Sequence, residues 1–364
     1  MVGRNTLSFY ARRGLWILIT WVLISNVIFF YDLITLTNAG ALDSTFDFTS
    51  AFTANMVVAV SAGFVGGLLT VNLMEYWLRK YAFWKALLLI IVIYTITSVL
   101  LSALGAAYLA SEDFQLPLWN AEVWEEAGFI FETWRFRKSF IIWLFIVLIT
   151  LIVLMINDKY GPGVFPDYLK GKYFQPKRER RIFMFADIKD ATTIAENLGE
   201  ARYFNFLKDF FKHITPAIVN SKGEIYQYVG DEIVVSWKMK KGLDKGNALA
   251  CSYGMKELLK KKASHYEKEY GLHPKFKVGY HFGSVMVGEI GQIKREIAFS
   301  GDVLNTTSRI QAKCNELGVD ILASEDFSKI HHTLPAGIEV EPLGPQLLKG
   351  KAEALSLVTF RNEN

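Results

Sequence analysis

Two aspartates stand where carboxylates could meet. RIFMFAD closes on Asp187, and YQYVGDEIVVSW places Gly230 and Asp231 between two β-rich runs. If both runs join one sheet, the two carboxylates come to adjoining strand ends. That is a hard-oxygen site of the kind Mg²⁺ takes together with substrate phosphates. A helix start follows Asp187, so the backbone N–H groups of residues 189–192, Lys189 to Thr192, can face an anion. Further on, Asn305 and Arg309 lie four residues apart and therefore on one helical face. Together they suit the charge of a phosphoryl transition state. Lys349, in LLKGKAE, can reach phosphate as a point charge. Each piece alone has an ordinary reading: an Asp at a helix start is a cap, a Gly-Asp pair is a turn, and a polar pair on a helix is a solvated face. The case rests on their combination.

The elements that must position these residues alternate. An apolar strand ends in Asp187, and TTIAENLG follows with a Thr193–Glu196 capping-box pattern. Residues 200–219 carry Phe204, Leu207, Phe211 and Ile214 at helical spacing, and Gly223 closes that unit. Residues 225–229 and 233–237 read as a hairpin whose first loop residue is glycine, as a type II′ turn requires. A long helix over 248–270 comes next, and KFKVGYHFGSVMVGEIG reads as strand, glycine turn, strand. EIAFSG is a further strand, DVLNTTSRIQAKCNEL a helix capped by Asp302, and VDILAS, IEVEPLG and LSLVTF are closing strands. The opening β-α-β-β-α-β order is that of an α+β, ferredoxin-like core.

The first 156 residues are of another kind. The chain of 364 residues is 51% hydrophobic and 21% charged, with a mean hydropathy of +0.22. The apolar excess falls in four charge-free runs at 14–31, 51–74, 86–110 and 139–157. Each has the roughly 18 or more residues that a bilayer-spanning helix needs. The first is too long for a signal-peptide core and lacks a small-residue cleavage site. Arg4, Arg12 and Arg13 precede the first run, and Arg79, Lys80 and Lys85 lie between the second and third. The loop at 33–50 holds Asp43 and Asp47 but no Lys or Arg. The positive-inside rule then places both termini in the cytoplasm. The acidic loop before the fourth run suits the outside, against Arg135, Arg137 and Lys138, and its Trp119, Trp124 and Trp134 read as interfacial anchors. Lys159, Lys170, Lys172, Lys177, Arg178, Arg180 and Arg181 gather after the last run, where anionic headgroups would attract them. No stacking aromatics interleave them, so no nucleic-acid partner is expected. Cys251 and Cys314 read as unpaired thiols. The expected organisation is a four-span α-helical transmembrane domain at 1–156, a Gly/Pro-containing cytoplasmic connector at 157–180 and an α+β domain at 181–364.

The blocks FMFADIKDATTIAE, YQYVGDEIVVSW, KVGYHFGSVMVGEIG, FSGDVLNTTSRI and LLKGKAEAL, in this order and spacing, resemble a class III adenylate/guanylate cyclase domain. The resemblance implies a homodimer with each active site shared between subunits. Asp187 and Asp231 of one subunit would bind two divalent ions, Mg²⁺ or Mn²⁺, with Ile188 offering a carbonyl. Asn305 and Arg309 of the other would stabilise the transition state, and Lys349 would hold phosphate. It further implies cyclisation of ATP, or of GTP, by a multi-pass protein of the cell inner (plasma) membrane with its catalytic domain in the cytoplasm. The base-reading positions fall at Gln227 and Ala298, where adenylate cyclases commonly carry Lys and Asp or Thr. Adenylate cyclases predominate among single-chain membrane forms, which favours ATP. Asp190 and Ala191 replace a more usual Gly-Phe and add a carboxylate near the triphosphate cradle. VGDEIV is also close to a diguanylate cyclase signature, but Val229 replaces its first glycine. A catalytically silent nucleotide-binding receptor module remains the alternative from another class.

Overall fold

The structure is a computed structural model describing residues 2–42, 46–72, 83–160, 167, 171–293, 295–331, 334 and 337–362; its side chains are described from residue 11 onward, except at 68–83, 86, 135, 157–160 and 362. Asp43, Arg79, Lys80 and Lys170 lie outside the described residues, as do the side chains of Arg4, Arg135 and Lys159 and much of the 157–180 connector. The chain divides into two compact units, Leu7–Ile156 and Asn157–Asn364 with Met1–Thr6.

In the first unit, helices α1 (Val2–Asn38), α2 (Phe48–Asn72), α3 (Phe83–Phe114) and α5 (Trp134–Tyr160) are long and apolar, and α4 (Ala121–Gly128) is a short helix between the last two. Among the described residues four stretches have the length and composition to cross a membrane: Ala11–Asn38, Phe48–Gly67, Leu87–Phe114 and Phe136–Ile156. Side chains such as Leu23, Val57, Leu100, Ile141 and Ile152 point outward, the surface a bilayer would cover. Inside, Trp21 packs edge-on to Trp143 with centroids 5.5 Å apart. Its indole N–H donates to Thr150 Oγ1 at 3.1 Å. Small residues let the helices close: a Cβ on Gly67 would lie 2.7 Å from the Gly14 carbonyl oxygen, and one on Gly66 would strike the Trp21 ring. Lys138, a cation at odds with the acidic loop beside it, is paired with Asp32 at 2.6 Å.

The second unit is built on an eight-stranded sheet of order β2-β3-β1-β4-β6-β8-β7, with β5 paired to β4. The strands are β1 (Lys177–Ile188), β2 (Glu224–Val229), β3 (Glu232–Lys238), β4 (Phe276–Ile290), β5 (Glu296–Ser300), β6 (Ile321–Ser324), β7 (Ile338–Leu347) and β8 (Ala354–Asn362). The run β2-β3-β1-β4 is antiparallel throughout, the ferredoxin-like arrangement. Strand β1 is central, so its apolar run is covered on both faces. Ile182, Met184, Ala186 and Ile188 pack in one core cluster. Phe183 and Phe185 pack in another with Val285 and Val303. Among the described residues the helices of six residues or more are α6 (Ala191–Leu198), α7 (Glu200–Asn220), α8 (Asn247–Lys261), α9 (Ala263–Tyr270), α10 (Asp302–Glu316) and α11 (Glu325–Ile330).

Four local expectations are corrected. The helix over 248–270 is two helices, broken at Lys262. The glycine turn in KVGYHFGSVMVG is absent; β4 runs unbroken for 15 residues. Gly279 and Gly283 serve close approach, since a Cβ on them would lie 2.5 Å from the backbone N of Gln311 and 2.5 Å from Val303, both on α10. Asp302 is not the cap of α10; it lies in the first turn after Gly301, bonded by Lys351 and by Thr306. Helix α6 starts two residues before Thr193, after Asp190 in the left-handed region at φ 56° with no side-chain cap, so the Thr193–Glu196 box does not form.

Candidate active site

Asp187, next to last in β1, sits in register with Glu232 of β3 and Lys277 of β4. Asp231 follows Gly230, whose φ of 62° turns the hairpin. The Asp187 and Asp231 carboxyls are in hydrogen-bonding contact, and burial together with Asp187 pushes Asp231 up to about 6. Burial, then Asp187 and Asp231, push Glu232 up to about 7. Burial and the same two aspartates raise the Tyr203 phenol. The elevation of Asp231, Glu232 and Tyr203 marks an excess of negative charge at one point. Cations and donors face it: Lys277 Nζ lies 3.2 Å from Asp187 Oδ2, and Gln311 donates its side-chain amide to the same oxygen at 3.2 Å.

These residues fit a divalent ion. The paired carboxylates already attract an ammonium group and an amide donor. Among the described residues no group of three or more His, Cys, Asp or Glu is placed to hold a metal ion together, so the protein offers the ion two carboxylates. A two-carboxylate site that leaves positions for phosphate and water is what Mg²⁺ prefers. Ile188, the expected carbonyl donor, pairs with Phe276 and has a buried side chain.

The anion cradle is narrower than expected. Lys189 donates its backbone N–H to the Lys275 carbonyl at 2.9 Å, and its ammonium pairs with Asp320 at 2.5 Å. Helix α6 then leaves the N–H groups of Ala191, Thr192 and Thr193 in its first turn. Asp190 and Thr192 are exposed beside it.

A second group gathers along α10. Asn305 is exposed and Arg309 half-buried. The Arg309 guanidinium lies against the turn after Lys349, 3.3 Å from where a Cβ on Gly350 would stand. Lys349 itself is exposed. Gln311, which touches Asp187, is two residues from Arg309 and so about 200° around the helix. Asn305 and Arg309 therefore face away from the carboxylates of their own chain. Gln227 and Ala298 flank the Tyr226–Phe299 ring contact, whose centroids are 4.8 Å apart. Gln227 is exposed and Ala298 half-buried.

Lys277, Gln311, Glu232 and Tyr203 are the site residues that sequence reading missed. Gln311 did leave a signal, a polar residue among Val303, Thr307, Ile310 and Cys314 on the buried face of α10.

The model of the adenylate and guanylate cyclase catalytic domain matches residues 175–360, just over half of the chain. The chain belongs to this cyclase family. Adenylate cyclase 2 of Rhizobium meliloti (strain 1021) is 29% identical over 210 residues, 58% of this chain and 58% of that protein. The adenylate cyclase of Anabaena cylindrica is 29% identical over 49% of this chain and 36% of its own length. Retinal guanylyl cyclase 2 of Bos taurus is 26% identical over 54% of this chain and 18% of its own. The chain thus spans less than two thirds of these relatives' lengths. A solved bacterial light-regulated adenylyl cyclase shares the fold, at 22% identity and a TM-score of 0.50 over 59% of this chain and 63% of that one.

Proposed function

We propose that the protein is a membrane-bound adenylate cyclase that converts ATP to 3′,5′-cyclic AMP and pyrophosphate in sites shared by two copies of the chain. The observation that carries this reading is the opposed facing of α10: Gln311 holds Asp187, while Asn305 and Arg309 point elsewhere. A complete site then needs Asp187 and Asp231 from one copy and Asn305 and Arg309 from another. Asp187 and Asp231 would hold two divalent ions, with Ile188 adding its carbonyl. When bound, such ions lower the pKa of the attacking ribose 3′-hydroxyl and offset charge on the leaving pyrophosphate. Asn305 and Arg309 orient the α-phosphate and stabilise its added charge. Lys349 binds the outer phosphates, and the first turn of α6, with Thr192, adds N–H donors. Lys189 is committed to Asp320 and serves the site by fixing the β1–α6 turn. The four apolar helices would set the protein in the cell inner membrane with the catalytic unit cytoplasmic.

The Rhizobium and Anabaena relatives, both named adenylate cyclases, support ATP. GTP is the second reading, because the Gln227 amide both donates and accepts and a guanylyl cyclase is among the relatives. Purified full-length protein should form cyclic AMP from ATP with Mn²⁺, faster than cyclic GMP from GTP. Formation of neither product while nucleotide still binds would instead identify a silent receptor module.

A further inference from the structure

Within the bundle of the first unit lies a cavity of about 80 Å³, walled by Trp21, Tyr94, Phe140 and Trp143, with Ser98 and Ser102 on one side. That is several times the roughly 10–15 Å³ a single water occupies by this measure. No Asp, Glu, Lys or Arg lines it, which excludes a charged occupant, since nothing there would offset the loss of its hydration.

The hydroxyls say what the occupant carries. Apolar helices usually satisfy a hydroxyl on the carbonyl four residues back. Thr95 does so with Ile91 and Thr150 with Ile146, both at 2.7 Å. The Trp21 indole is satisfied by Thr150, and the Tyr94 hydroxyl donates to the Gly66 carbonyl at 3.3 Å. Ser98 and Ser102, four apart on one face of α3, are half-buried; no hydrogen bond of their side chains is found among the described residues. Two hydroxyls side by side in an aromatic chamber form a polar end with no protein partner among the described residues.

We propose that this cavity binds a small uncharged amphiphile: a single ring, or a chain of similar size, between the four aromatic side chains, with one oxygen on Ser98 and Ser102. The proposal does not depend on the cyclase reading, and its test uses no nucleotide.

The probe is 4-bromobenzyl alcohol, whose bromine quenches the indoles of Trp21 and Trp143, titrated into full-length protein in detergent micelles. Saturable quenching is expected. The Ser98→Ala/Ser102→Ala double variant should weaken binding about ten-fold, the loss of one to two hydrogen bonds. 4-Bromotoluene, which lacks the oxygen, should bind the unaltered protein with the weakened affinity of the double variant. Ala62→Phe, which fills the cavity wall, should abolish the saturable phase; if its melting shows misfolding, Ser102→Leu serves instead. Quenching that only rises linearly, as partition into the micelle would give, overturns the proposal. So does equal affinity for the alcohol and 4-bromotoluene.

Discussion

At its amino-terminal end strand β1 buries Arg181 against Glu179 Oε2 at 2.8 Å, Glu224 Oε2 at 2.7 Å and Ser236 Oγ at 3.0 Å. At its other end Asp187 meets Asp231 and Glu232, and Lys277 is the cation paired with it. The first cluster is not short of cations: beside the Arg181 guanidinium, Lys172 lies 3.9 Å from Glu179 and Lys241 lies 3.4 Å from Glu224, both carboxylates are partly open to water, and the Phe299 ring lies 4.7 Å beneath the guanidinium. The second carries surplus charge, and its Asp231 and Glu232 carboxyls hold protons above their usual range. A balanced buried charge holds a fold together. A surplus one persists in a fold where something else completes it.

The largest effect should come from the surplus end. Asp187→Asn or Asp231→Asn is expected to lower turnover by about 10³-fold or more without lowering the midpoint of thermal unfolding, read by cyclic nucleotide assay and by melting. An equal loss of stability would reassign this end to structure. The balanced end should respond the other way. Arg181→Met takes from Glu179 and Glu224 their buried partner, leaving only the more exposed Lys172 and Lys241, and is expected to cost about 3 kcal/mol in a denaturant titration. A neutral result would mean that the ion pairs there add nothing beyond packing.

The two ends also differ in pH dependence. Asp231 and Glu232 titrate near 6 and 7 in the fold, against about 4 unfolded. Their raised values contribute stability that is present below pH 4 and lost as the pH rises through 6 to 7. The metal-free protein should therefore melt lower at pH 8 than at pH 5, and Asp231→Asn should flatten that slope. Mn²⁺ should raise the midpoint more at pH 8 than at pH 5, since only ionised carboxylates bind it. A midpoint insensitive to Mn²⁺ at pH 8 would break the assignment of the surplus end to a cation.

Much of this contrast was legible in the residue order. Asp187 closes an apolar run and Asp231 follows a glycine between two others, both local patterns. Asn305 and Arg309 share a face by spacing alone. What stayed hidden depends on register and close approach. Lys277 opposes Asp187 only because β1 and β4 pair at that offset, and an antiparallel register is set by the assembled sheet. Gly283 looks like a turn in sequence, yet its missing side chain admits Val303. The break at Lys262 has no glycine or proline to announce it. In the sequence Arg181 reads as one of a basic, headgroup-facing cluster; burial against Glu224, 43 residues away, gives it another role.

The smallest expected effect is at Gln227, exposed on β2 away from both charged ends. Gln227→Lys should shift preference toward ATP by about ten-fold, the worth of one charge-assisted hydrogen bond, as read from cyclic AMP and cyclic GMP formed side by side. No shift would remove Gln227 from base reading.

The shared site itself is tested by co-expressing two inactive variants, Asp187→Asn and Arg309→Ala, in equal amounts. If each site takes its carboxylates from one copy and its arginine from the other, half of the dimers are mixed and each has one intact site. Cyclase activity should then return to about a quarter of that of the unaltered protein. A mixture that stays inactive although both variants fold and associate would contradict the account.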